Sequence, residues 1–276
     1  MTSPPSPPVA GADHLLVNQT EPRLITGSCA AGQFGLFSQA APAKPVNQDS
    51  AAVFELSETV CVLAVADGVG GYPRGEDASK IAIEMLQLSL LGAATVQAAH
   101  TGILNGFELA HQSIIGLQAG AATTLIVAVV TEESIRTYHA GDSGCLVYGQ
   151  RGKIKLKTIN HSPTGFAELA GQLTETESIM HPARHLVSNL LGVEGMQVEV
   201  GEPTRLAKLD TVVVASDGLL DNAMTKTIGD AVRTGRLPAV TERLQQTITQ
   251  TMAGNPAAGP CKPDDLSVVL YRPRRS

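Results

Sequence analysis

Asp49, Asp67, Asp142, Asp217 and Asp264 each adjoin a strand-like run, in a short turn containing glycine, asparagine or serine. In the two clearest cases Val62-Leu63-Ala64-Val65-Ala66 runs into Asp67-Gly68, and Val212-Val213-Val214-Ala215-Ser216 runs into Asp217-Gly218. An apolar strand ending in Asp-Gly releases a carboxylate at the edge of a sheet. A single aspartate there is commonly a turn former or a helix cap. Five together point elsewhere. If such ends converge, two unit charges ~4 Å apart repel by about 4 kcal/mol at an effective dielectric of ~20. A cluster of that kind requires cations. An all-oxygen donor set without a His or Cys group favours Mg²⁺ or Mn²⁺ over Zn²⁺. The glycine-rich turn Asp67-Gly68-Val69-Gly70-Gly71 would let backbone approach a ligand closely and free a carbonyl to coordinate.

The elements that must position these groups are mostly strands. Runs rich in Val, Ile, Leu and Thr cover about 24–30, 51–56, 60–66, 122–130, 134–140, 145–150, 197–200, 211–215 and 266–271. Helical periodicity predicts two consecutive long helices, 76–91 and 95–118, and a later pair, 225–234 and 238–253. Blocks of strands alternating with helix pairs, without strict βαβ order, predict an α+β fold of antiparallel sheets covered by helices. Residues 1–20, with Pro4, Pro5, Pro7 and Pro8, read as a disordered tail, and 21–276 as one domain.

Six ordered signatures resemble the metal-dependent protein phosphatases, the PPM or type 2C serine/threonine family. They are Asn47-Gln48-Asp49-Ser50, Ala66-Asp67-Gly68-Val69-Gly70-Gly71, Gly120-Ala121-Ala122-Thr123-Thr124, Gly141-Asp142-Ser143, Ala215-Ser216-Asp217-Gly218-Leu219 and Pro263-Asp264-Asp265-Leu266-Ser267. The likeness runs from about residue 23 to 273. It implies a four-layer αββα sandwich, two antiparallel sheets flanked by helices, with two Mg²⁺ or Mn²⁺ ions, and room for a third, at one end. It further implies Asp67 as the bridging carboxylate, the Gly68 carbonyl on one metal, and Asp217 and Asp264 on the other. Asp49 would bind directly or through water, and Asp142 would hold the third, weaker ion. Catalysis would fall to Asp49 and Asp67, with a hydroxide between the metals attacking phosphoserine or phosphothreonine in a protein substrate.

Three departures qualify that pattern. The phosphate-binding position five before Asp49 is Lys44, a point charge where many members carry an Arg fork. Val69 stands where many eukaryotic members have a proton-donating His. Gly144 and Asp265 replace a frequent Arg and Asn; Lys44, Gly144 and the Lys262-Pro263-Asp264-Asp265 ending together resemble a branch found in plants, fungi and some bacteria. The missing groups leave a second reading open, a silent relative that binds a phosphoprotein as a regulator. Segment 157–190, with His161, His181 and His185, falls where the family has a variable flap, and its irregular histidine spacing reads as structural or surface.

Composition narrows the partners. With 276 residues, 43% hydrophobic content and a net charge of −6, the chain can bury a large core but lacks a basic stripe for nucleic acid or anionic membrane. The expected partner is a phosphoprotein, and the expected state a monomer. Cys29, Cys61, Cys145 and Cys261 form no Cys-x-x-Cys pair and read as buried thiols in a reducing compartment. Residues 1–20 carry no Lys or Arg and no apolar signal core, so a cytoplasmic location is expected.

Overall fold

The computed structural model describes residues 13–274 except 31, 43 and 255–258. Two antiparallel sheets stack face to face. The first contains β1 (His14–Val17), β4 (Asp49–Ser57), β5 (Val60–Asp67), β6 (Leu125–Val130), β7 (Ser134–Ala140) and β10 (Glu199–Val200) in that spatial order, with β11 (Thr204–Arg205) also paired to β7. The second runs β2 (Arg23–Cys29), β3 (Gly32–Gln39), β13 (Leu266–Pro273), β12 (Thr211–Ala215), β8 (Gly144–Tyr148) and β9 (Ile154–Lys157). Helices α1 (Gly75–Ser89) and α2 (Val96–Gly116) cover the first sheet, while α6 (Thr225–Val232) and α7 (Leu237–Met252) cover the second. Short helices α3 (Pro163–Leu169), α4 (Glu175–Ile179) and α5 (Asp217–Leu220) complete the chain. The expected α+β sandwich is the observed one.

Strand alternation explains the three layers of core. Along β5, Cys61, Leu63 and Val65 point between the sheets, and Val62, Ala64 and Ala66 point at α1 and α2. Both faces are therefore covered, so the run is apolar throughout. In β12 the split is Val212 and Val214 inward, Val213 and Ala215 toward α6 and α7. Large buried side chains such as Phe34, Leu36, Leu63 and Tyr271 fill the inter-sheet layer.

Some boundaries differ from the sequence reading. The ordered body extends further toward the N-terminus than 21–276, because β1 pairs along β4 with His14 opposite Val53 and Val17 opposite Ser50. The disordered reading of residues 1–20 is thus corrected for 13–20, and 1–12 lie outside the described residues. Strand β3 went unread because Gly32 and Gly35 look like breakers. A Cβ on Gly35 would lie 2.1 Å from Thr241 Oγ1, so the glycine lets α7 seat directly on the sheet. The cysteines are free, and Cys29, Cys61 and Cys145 are buried. Among the described residues, no helix is long and apolar enough to cross a membrane.

Candidate metal centre

Topology brings the five aspartates to one rim. Asp49 opens β4 and Asp67 closes β5, and the two are direct cross-strand partners. On the other sheet, Ala215 at the end of β12 pairs with Val268 near the start of β13, which places Asp217 and Asp264 beside each other's strands. Asp142 sits in the turn between β7 and β8, and Gly144 after it pairs with Ala215. Like charges directly opposite on a sheet are destabilising, so this register calls for compensation.

The electrostatics record the convergence. Burial lifts the Asp67 carboxyl well above the ordinary range, and the charges of Asp49, Asp217, Asp264 and Asp142 push it further. Burial does the same to Asp49, aided by Asp265, Asp264 and Asp217 and opposed by the Ser216 hydroxyl. Asp142 is pushed up to about 8 by burial and by Asp217 and Asp221. Burial also pushes Asp264 upward, but Lys262 and Lys44 together hold it below its usual value.

Hydrogen bonds fix the frame. The Ser216 hydroxyl donates to Asp49 Oδ2 at 2.8 Å, joining the two sheets at the rim. Asn47 Oδ1 accepts from the Asp49 amide at 2.8 Å, and its Nδ2 donates to Ser38 Oγ and to the Gln19 carbonyl. Asp265 is buried and accepts from two amides, Ala41 at 2.7 Å and Gln48 at 2.9 Å, tying the Lys44 loop and the approach to Asp49 to β13. Asp49 Oδ1 and Asp217 Oδ1 are buried and accept no hydrogen bond. Orphaned anionic oxygens at a shared rim suit hard cations. Gly68 suits them too: a Cβ there would meet the Gly75 carbonyl oxygen at 2.1 Å and that of Gln48 at 2.8 Å, so only glycine carries the backbone this close beneath the rim.

Lys44, His161 and the charged groups near them fall as follows. Lys44 Nζ lies 3.0 Å from Asp264 Oδ1 and 3.6 Å from Asp265 Oδ2, at the rim. Arg74, in the loop after Asp67, instead pairs with Asp77 at 2.6 Å on the surface. His161 is structural: its Nδ1 accepts from the Gly141 amide at 3.2 Å and from Asn189 Nδ2 at 2.9 Å. Those two donors place its proton on Nε2, which faces Glu199 Oε2 at 3.1 Å. Although His139, His161 and Glu199 lie close enough together to bracket a cation, that tautomer leaves His161 no lone pair for one. Its role is to brace the Asp142 turn.

Two residues of the site escaped the sequence reading. Asp221 follows Asp217 by four residues at the end of α5, and Lys262 reaches Asp217, Asp221 at 3.1 Å and Asp264 at 3.1 Å. The spacing of Asp217 and Asp221 was the available signal for the first. Lys262 was read only as part of the Lys262-Pro263-Asp264-Asp265 ending, because its reach depends on tertiary placement.

A pH dependence follows from the raised carboxyls. A group whose pKa is higher in the folded state adds stability below its unfolded value and loses it as pH rises through the folded value. For Asp142 that loss begins above the unfolded value and is complete by about 8. In EDTA, Tm is expected to fall as pH rises from about 5 to about 8, and saturating Mn²⁺ is expected to flatten the slope. Differential scanning calorimetry with and without the ion checks this, and a Tm in EDTA that climbs across the window contradicts it.

A two-sheet sandwich with an all-oxygen acidic rim defines a scaffold for divalent-cation chemistry. Residues 40–255 match the family model described as protein phosphatase 2C. The chain belongs to that family. It is 26% identical over 216 residues to the serine/threonine phosphatase stp of Listeria welshimeri, covering 74% of this chain and 83% of that one. Its fold is that of the serine/threonine phosphatase Stp1 from Staphylococcus aureus, with a TM-score of 0.75 at 23% identity over 89% of this chain and 96% of that one. The catalytic domain of the serine/threonine protein phosphatase PstP, solved with two manganese ions, superposes with a TM-score of 0.69 at 20% identity, covering 92% of this chain and all of that domain.

Proposed function

We propose that the protein is a phosphoprotein phosphatase that hydrolyses phosphoserine and phosphothreonine esters with two Mg²⁺ or Mn²⁺ ions. The observation that carries this is the meeting of Asp49 and Asp67 from one sheet with Asp217 and Asp264 from the other, with two of their oxygens buried and unpartnered. When bound, the ions supply ionised water at neutral pH and neutralise charge on the phosphoryl oxygens.

The chain's own groups divide the remaining work. Asp67, the Gly68 carbonyl, Asp217 and Asp264 would hold the two ions, and Asp142 would hold a third. Asp49 keeps Oδ2 on the Ser216 hydroxyl and has Oδ1 free to orient the attacking water. Lys44, about two-fifths exposed at the rim, offers its ammonium to the incoming phosphate. Val69 supplies no proton to the leaving oxygen. The same reading makes the protein a monomeric, single-domain cytoplasmic enzyme whose partners are phosphoproteins, with no nucleic acid or membrane among them.

Hydrolysis of p-nitrophenyl phosphate and of a phosphothreonine peptide is expected to require Mn²⁺ or Mg²⁺ and to stop on adding EDTA. Folded protein that binds Mn²⁺ yet cleaves neither substrate would instead support the silent phosphoprotein binder.

A further inference from the structure

Lys262 is held in place by more than its own side chain. Its amide donates to Asn222 Oδ1 at 2.7 Å, and its carbonyl accepts from Asn222 Nδ2 at 2.8 Å. The same Asn222 amide group donates to the Gly218 carbonyl at 2.9 Å, so the Lys262 backbone is clamped onto the far end of α5. Pro263 follows, with its φ fixed. The side chain then runs back along α5. Its Nζ bonds Asp217 Oδ2, stands 3.1 Å from Asp221 Oδ2 and 3.1 Å from Asp264 Oδ2, and the side chain is only 19% exposed.

An ammonium with three donors can face three carboxylates at once, as it does here, with Arg184 3.7 Å from Asp221 and Lys44 3.0 Å from Asp264 as neighbouring cations that each meet one of the three. Asp217 and Asp264 are also the two carboxylates assigned above to the second divalent ion, so this inference rests on that reading. A lysine ammonium and a divalent ion cannot share these oxygens without strong mutual repulsion. Lys44 differs in kind: it meets Asp264 from the open side and is twice as exposed.

We propose that Lys262 is a resident counter-cation of the Asp217, Asp221 and Asp264 subsite, competing with the divalent ion and setting the concentration at which that subsite fills. The lysine spares the unfilled site from repulsion, and its displacement is a cost that every entering ion must meet. The protein therefore fills at a higher Mn²⁺ or Mg²⁺ concentration than its carboxylates alone would require.

The test is Mn²⁺ binding to the full chain by isothermal titration, comparing wild type, Lys262→Gln and Lys262→Arg. Removing the charge is expected to tighten the weaker Mn²⁺ step by on the order of tenfold, while Lys262→Arg stays within about threefold of wild type. In EDTA the Tm of Lys262→Gln is expected to fall, with a larger rise on adding Mn²⁺. Should Lys262→Gln fold only with metal, it is purified in Mn²⁺ and its loss of the ion to excess EGTA is timed; slower loss than wild type supports the proposal, and equal or faster loss overturns it. Unchanged or weaker Mn²⁺ affinity in Lys262→Gln, with normal uptake by wild type, overturns this inference alone. No Mn²⁺ uptake by folded wild type overturns both this inference and the metal-dependent reading beneath it.

Discussion

Asp67→Asn is expected to lower kcat/KM for p-nitrophenyl phosphate in saturating Mn²⁺ by about 10³-fold or more, while the chelated protein melts no lower than wild type. The two halves of this result have one cause. Asp67 faces Asp49 directly across the β4–β5 ladder and feels Asp217, Asp264 and Asp142 as well. An amide of the same shape removes the anionic oxygen shared between ions and also removes the charge that four neighbours repel. The strand itself is left alone, since the Asp67 amide bonds Thr124 Oγ1 and its carbonyl accepts from the Thr124 amide and the Thr123 hydroxyl. Steady-state hydrolysis and calorimetry in EDTA measure both halves. Activity within tenfold of wild type would remove Asp67 from the centre of the proposal.

Asp265→Ala is expected to act on stability, lowering it by about 3 kcal/mol and Tm by roughly 6–9 °C in EDTA. Its carboxylate is buried and each oxygen accepts a different backbone amide, from Ala41 and from Gln48. Hydrogen bonds to a charged acceptor contribute about 1.5–3 kcal/mol each, and truncation leaves the buried Ala41 amide and the half-buried Gln48 amide without this partner. Relief of repulsion on Asp49 offsets part of this loss. Two such bonds outweigh one screened repulsion, so the net sign is destabilising. Asp265→Asn should fall between, because an amide side chain accepts at one end only. A melting point within 1 °C of wild type for Asp265→Ala would show that the seam does not depend on this carboxylate.

That pair of bonds also explains a departure visible in the sequence. Asp265 stands where the wider family frequently has Asn, and read along the chain it is only a substitution. In three dimensions it needs two acceptors, which Asp has and Asn lacks. The aspartates at strand ends were legible because β5 and β12 are apolar on both faces and stop abruptly at Asp-Gly or Ser-Asp-Gly. The sandwich was legible for a related reason, since strands buried on two sides and long helices with one apolar stripe leave few ways to pack. Strand β3 was hidden by glycines whose reasons lie more than 200 residues away in the chain, α7 over Gly35 and the Tyr271 ring over Gly32, and β1 by its neighbourhood of prolines and polar residues. Lys262 stood in the sequence only as the start of a family-like ending. Nothing local shows that its ammonium reaches three carboxylates until Asn222 pins its backbone beside α5.

The Ser216 to Asp49 bond has a consequence for how the protein fails with heat. The acidic rim is assembled from two ladders whose strands, among the described residues, share no main-chain bonds across the layer between them, so its geometry depends on how one slab is registered over the other. A slip of an ångström along that plane would leave each slab intact while separating the jaws that grip the ions. Warming is thus expected to disarm the protein before it melts it, and a divalent ion held as proposed between both jaws would act as the pin that stops the slip.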